Sequence, residues 1–309
     1  MPAASQTSTG TRRRAAAVAT SELIRSLGAV VLTPPGQNQA LYEALGLPMP
    51  TGAEYTEVFV LSAPPHGAIH LGPEGKLGGE GLDRIAGFWR ALGLVAPTDA
   101  DHLGTLLMLY AELVEAEGSA RDERAQEQMR RARTALFHEH IWSWAPGYLD
   151  AVQGLQVTAL TSWSQLSDEV LRAEYAQLDE PETLPLAMRL APEPLGDDHT
   201  LDETLDALVA PIRSGFVLTH RDLTICAGQA GVGLRRGERR FALRAMLEQD
   251  APGTLGWLAE HAHTWSGRHG RPGAGSAGAW WSERAAHSAR TLRTMAGQGQ
   301  QLLTAADED

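Results

Sequence analysis

Residues 99–113, DADHLGTLLMLYAEL, set three polar side chains ahead of a leucine-rich run. Leu103, Leu106, Leu107, Tyr110, Leu113 and, one residue on, Val114 recur at intervals of three and four, which places them on one wide stripe of a helix. The polar head reads as the start of that helix. Thr98 with Asp101 makes a helix cap, and acidic residues at this end also meet the positive pole of the helix dipole. Asp99, Asp101 and His102 are at the same time a candidate site, so the question is whether they do chemistry, grip a partner or only cap.

Working outward, the same helical spacing dominates. SELIRSLGAVVL is a first helix stopped by Pro34 and Pro35, and EGLDRIAGFWRALGL carries Leu82, Ile85, Trp89 and Leu92 on one face. A long helix runs from about Ser119 to Trp144, and Pro146 ends it. Ala, Leu and Gly dominate while Val and Ile are sparse, and no sustained period-two pattern is present; the expected fold is all-α, a helical bundle. Between Val58 and Gly79 the pattern breaks into a Pro- and Gly-rich connection that keeps Ile69, Leu71 and Leu77, which is the composition of an ordered loop.

Composition divides the chain further. Residues 1–19 read as a disordered arm: Arg12–Arg14 precede an apolar run of only half a dozen residues, shorter than the roughly 7–15 of an export signal. Residues 20–178 form the main helical domain. Residues 179–199 read as an acidic linker, since nine acidic side chains between 179 and 206 face only Arg189. Residues 200–265 form a C-terminal helical segment opened by a Thr200–Glu203 capping box, with a second such start at Thr219–Asp222. Residues 266–309, rich in Gly, Ser and Ala, read as a flexible tail with one helix around Trp280 to Met295.

The net charge of -12 opposes bulk nucleic-acid binding and suits a cationic partner. A single cysteine, Cys226, excludes an internal disulfide and a CxxC site. No run approaches the ~18 apolar residues of a membrane span. Metal ligation has little to stand on: His138 and His140, like His261 and His263, are two residues apart and point to different helix faces. No GxSxG occurs, and the glycines of GVGLRRGE lack a preceding strand and a GK[ST] ending. Neither catalysis nor a cofactor is expected. Residues 211–244 hold seven arginines against two acids, a local +5, in a helix–turn–helix outline. That leaves a DNA-binding regulator as the alternative reading, weighed against two packed helices whose arginines meet the acidic linker or solvent.

A helical scaffold can also hold an apolar segment in a groove, with acids at the rim for its cationic end. Composition alone does not choose this reading, but three motifs do. YTEVFVLSAPPHGAIHLGPEGKLGG (55–79), DADHLGTLLMLYAEL (99–113) and ALFHEHIWSWAPGYLDAV (135–152) resemble, in order and spacing, motifs of the TorD/DmsD/NarJ chaperones. The last is carried by His140, Trp142, Trp144 and Pro146. The resemblance covers about residues 40–180. It implies a TorD-like all-α fold and a cytoplasmic chaperone, a monomer or a homodimer, for a molybdenum-cofactor oxidoreductase subunit. Such a chaperone binds the client's twin-arginine signal peptide or N-terminus until the cofactor is inserted. Carried over by motif, the peptide-binding residues are Asp101 and His102, then Asp99, Phe59, Pro64, Pro65 and Trp89. Asp99 stands where family members often have proline, which adds a carboxylate suited to a basic segment.

Overall fold

The computed structural model describes the backbone of residues 4–307 and the side chains of residues 18–298. Among these residues there is no strand; the one β-type pairing is an isolated antiparallel bridge between His66 and His102. The chain folds into two compact units. Residues 1–67 and 82–181 make the first, and residues 68–81 and 182–309 the second.

The first unit carries α1 (Ala4–Leu32), α2 (Gln39–Leu45), α3 (Gly52–Thr56) and a π-helical turn over Glu57–Ser62. After Gly67, helix α4 (Gly67–Leu71) lies in the segment 68–81 that belongs to the second unit, and helix α5 (Gly79–Ala91) begins at the end of that segment and continues into the first unit. Then come α6 (Leu103–Ser119), α7 (Glu123–Leu136), a second π-helical turn over Phe137–Trp142, α8 (Ala145–Gly154) and α9 (Thr158–Tyr175). Helix α6 is the hub, and the stripe read from the sequence explains why. Leu103, Leu106, Leu107, Tyr110, Leu113 and Val114 are all buried, against α1 on one side and α7 on the other. Burying a leucine side chain of this kind contributes about 1.5–3 kcal/mol.

Two glycines set how closely α1 and α6 approach. A Cβ on Gly28 would lie 3.0 Å from the Gly104 carbonyl oxygen, and one on Gly104 would lie 2.7 Å from that of Gly28. Side chains there would push the helices apart. Polar ties close the rest of the unit. The Trp163 indole N–H donates to the Leu27 carbonyl at 3.1 Å, and the buried Tyr110 hydroxyl donates to Glu174 at 2.7 Å. Arg133 reaches Glu117 at 3.1 Å and Glu174 at 3.9 Å, so that α6, α7 and α9 share one largely buried ion network.

The second unit contains α10 (Leu186–Arg189), α11 (Leu201–Val209), α12 (Pro211–Ser214), α13 (His220–Ala230), α14 (Arg239–Gln249), α15 (Ala251–His269) and α16 (Gly275–Asp307). Its main packing joins α15 and α16 through Leu258, Ala259, Ala262 and Trp265 on one side and Trp281, Ala285, Ala289 and Leu292 on the other. The stretch expected to be a flexible tail is therefore largely a long helix. Its alanines are strong helix formers, and small residues let the helices approach. Likewise α1 starts at Ala4 and takes in most of the expected disordered arm. The acidic linker has few regular turns, yet it buries Ala187, Met188 and Leu195.

Both C-terminal capping boxes read from sequence are present: Thr200 and Thr219 accept from the backbone of Glu203 and Asp222, whose carboxylates bond back. Gly215, at φ +80°, ends α12 in contact with the backbone of α16, where a Cβ would fall on Ala285. Three histidines fix the intervening chain by its carbonyls. His261 meets Val217 at 3.1 Å, His269 meets Gly215 at 3.1 Å, and His287 meets Leu195 at 2.8 Å.

Candidate peptide-binding site

The helix start does not fall where the sequence reading put it. Thr98 and Asp101 lie in the turn before α6, and His102 is the N-cap, at φ −68° and ψ 131°, accepting the Gly104 N–H on its Nδ1 at 3.1 Å. An imidazole nitrogen here does what a Ser or Asp oxygen usually does at an N-cap. Asp101 is released from capping and turned inward, where it is 2% exposed.

Its partner is a residue the sequence reading passed over. The His66 Nδ1 lies 3.1 Å from the Asp101 Oδ1. The two backbones also pair: Gly67 N–H donates to the Asp101 carbonyl at 3.0 Å, and Leu103 N–H donates to the Pro65 carbonyl at 2.8 Å. This short ladder stacks the two imidazoles edge-on, ring centres 5.0 Å apart. Nothing in the periodicity points to His66. Only its place after the Pro-Pro pair, which fixes an extended backbone, marks it.

The hydrogen bonds assign the protons. The Asp101 carboxylate only accepts, so His66 carries a proton on Nδ1. His102 accepts on Nδ1, so its neutral ring carries the proton on Nε2. Burial pushes the His102 imidazole down to about 4, helped by the nearby His66 and opposed by Asp99 and Asp101; it is neutral at pH 7.

The third motif lies against the first. Trp144 and Ile85 pack on Gly67, where a Cβ would stand 3.1 Å from the indole nitrogen. That nitrogen donates to the His140 carbonyl at 2.7 Å, and His140 in turn faces Phe88 with its ring. The π-helical turn over Phe137–Trp142 aims these rings into the core. All three motifs read from the sequence thus meet around His66–Gly67 and Asp101–His102.

Not every candidate residue faces outward. Phe59 is 5% exposed, held edge-on between Tyr55 and Trp163. Pro65 is buried and Pro64 half-buried. Trp89 is half-buried, with an indole nitrogen that is shielded and bonds to nothing among the described residues. Asp99 is exposed, and its carbonyl accepts the His102 N–H at 3.1 Å. Exposed apolar side chains precede each arm of the ladder: Val60 and Leu61 before the Pro-Pro pair, Leu94 and Val95 before Asp99.

The arginine-rich alternative looks different once folded. Arg240 is bound by Asp202 and Asp206, at 2.5 and 2.6 Å, and Arg244 also pairs with Asp202. Arg239 donates to the Leu218 carbonyl at 2.7 Å. Helix α14 therefore spends these arginines on α11 and on the chain before α13, where a DNA-reading helix would turn them to a groove. Residues 231–238 separate α13 from α14, longer than the three- or four-residue turn of a helix–turn–helix.

Among the described residues no group of three or more His, Cys, Asp or Glu side chains is placed to hold a metal ion. No helix among them is long and apolar enough to cross a membrane. Cys226 is buried, and burial pushes its thiol up to about 12, away from thiolate chemistry.

No curated protein matches the chain. Residues 50–150, about a third of its length, match the family described as nitrate reductase delta subunit. The matched region contains His66, Asp101, His102 and Trp144 together. This segment is similar to the NarJ/TorD-type chaperone family, whose members work with molybdoenzyme subunits during their maturation.

Proposed function

We propose that this chaperone acts in the cytoplasm by binding the twin-arginine signal peptide, or the N-terminus, of a molybdoenzyme subunit, and that it assists cofactor insertion before export or assembly. The observation that carries this reading is the Asp101-anchored pair His66–His102. Two imidazoles side by side, each oriented by its own hydrogen bond, offer polar ring edges to the backbone of a peptide, and make no demand on the client's sequence.

The surroundings fit the two parts of such a signal. Its apolar stretch would bury surface on Val60, Leu61, Leu94 and Val95, at roughly 25 cal/mol per Å². Its arginines would meet the exposed Asp99 within the field of a chain of net charge -12. No bond-making is required, and affinity should weaken with salt without vanishing.

Calorimetric titration with a synthetic twin-arginine signal peptide tests the reading. The Asp101→Ala/His102→Ala double variant should lose affinity by about tenfold or more, the equivalent of one charge-assisted contact. Unchanged affinity in a variant that still folds would sink the site assignment.

A further inference from the structure

The second unit contains a cavity of about 580 Å³, of a size that holds small-molecule ligands. It lies between the loop around Gly75, helices α11 and α12, and the starts of α13 and α14. Its walls carry Lys76, Arg213, Arg239 and Arg240, with Glu74, Asp206 and Glu238.

The acids do not cancel the bases evenly. Asp206 accepts from Arg240, so that pair is internally satisfied. Glu74 and Glu238 are exposed, and among the described residues no ion pair joins either of them to Lys76, Arg213 or Arg239. Arg239 donates to the Leu218 carbonyl and lies within the field of the Asp222 carboxylate, while burial strips it of water. The Arg213 Nε is shielded from solvent and has no hydrogen-bond acceptor. A guanidinium offers five N–H donors in a fixed fork, which a tetrahedral oxyanion can take up two at a time. Helix α14 starts at the same wall, and Glu238 at its N-cap makes no side-chain cap bond, leaving backbone N–H groups and the positive dipole end there.

The wall opposite is shaped by backbone. Gly75, at φ +63°, sits where a Cβ would lie 2.6 Å from the Val209 carbonyl oxygen. This close approach brings Lys76 to the mouth of the cavity.

We infer that the cavity is a binding site for a small phosphate-bearing molecule, held by Arg213 and Arg239 with Lys76 at its entrance. This site lies wholly in the second unit and does not depend on the peptide site of the first.

Inorganic pyrophosphate, titrated calorimetrically into the full-length protein at low ionic strength, is the probe. One saturable site is expected, weakened by about tenfold or more in Arg213→Gln and in Lys76→Gln. It should be unaffected by Arg189→Gln, an arginine of the same unit outside the cavity lining. Arg213→Lys keeps the charge but loses the fork, and should bind more weakly than native protein while melting at the same temperature. Absence of saturable binding would overturn the site. So would equal loss in Arg189→Gln, which would mark diffuse attraction, or citrate binding as tightly as pyrophosphate, which would mark a carboxylate site.

Discussion

The Nδ1 of His66 and the Oδ1 of Asp101 lie 3.1 Å apart beside an isolated antiparallel bridge, and this contact places a proton on the Nδ1 of His66. Ring ¹⁵N spectra of native protein should show His66 protonated at Nδ1 and His102 at Nε2. In Asp101→Ala, His66 should shift toward the other tautomer, while His102, fixed by the Gly104 N–H, should stay as it was. If both rings keep their tautomers, the carboxylate is not what orients His66.

The close crossing of α1 and α6 gives a second test. In Gly104→Ala the new methyl would stand 2.6 Å from the Leu32 Cγ and 2.7 Å from the Gly28 carbonyl oxygen. The leucine can turn aside; the carbonyl can move only with its helix. A loss of about 1–3 kcal/mol in urea unfolding is expected. Gly87→Ala, where a Cβ meets nothing within 4 Å, should lose nothing. Equal stability of the two variants would contradict the crossing.

Stability should depend on acid in a defined window. Burial pushes the imidazoles of His102, His140 and His269 down to about 4. The folded protein therefore keeps them neutral at pH values where the unfolded chain, with histidines near 6.5, has already bound protons. Their contribution is complete above about pH 6.5 and declines as the pH falls toward 4. Below that the native state binds the protons too. Each histidine can add up to about 1.4 kcal/mol per pH unit inside the window. Urea midpoints at pH 7, 5.5 and 4.5 should fall in that order. A flat series would show that these rings are not held neutral.

The arginines of α14 supply a fourth test. Their pairs with Asp202 and Asp206 are largely exposed, so Arg244→Gln should change stability by no more than about 1 kcal/mol. Because Arg240 is also engaged by carboxylates, duplex DNA should bind weakly, without the steep salt slope of a protein that neutralises many phosphates. A slope of several phosphates, abolished by Arg240→Gln, would revive the regulator reading.

Much of the fold was legible because its signals are local. A stripe at three and four places Leu103 to Val114, and Thr-x-x-Glu and Thr-x-x-Asp place two helix starts. Local chemistry misplaced the start of α6, since Thr98–Asp101 satisfies the same pattern that His102 fulfils. What chose between them is the bridge to His66, a contact over 35 residues that no window sees. Phe59 was grouped with the groove by its motif, but Tyr55 and Trp163 take its ring inside. The end of the chain misled for the opposite reason. Gly, Ser and Ala look like a tail until α15 offers them a face small enough to pack on.

The excursion of residues 68–81 makes the second unit more than an addition to the end of a chaperone. Part of it is encoded more than a hundred residues before the rest, in the middle of the family-matched segment. A gene cut after codon 181 would leave that segment without Val209 and Ala210 to pack on, and a gene begun at codon 182 would lack one wall of its own cavity. Engineering the second unit therefore means carrying residues 68–81 with it.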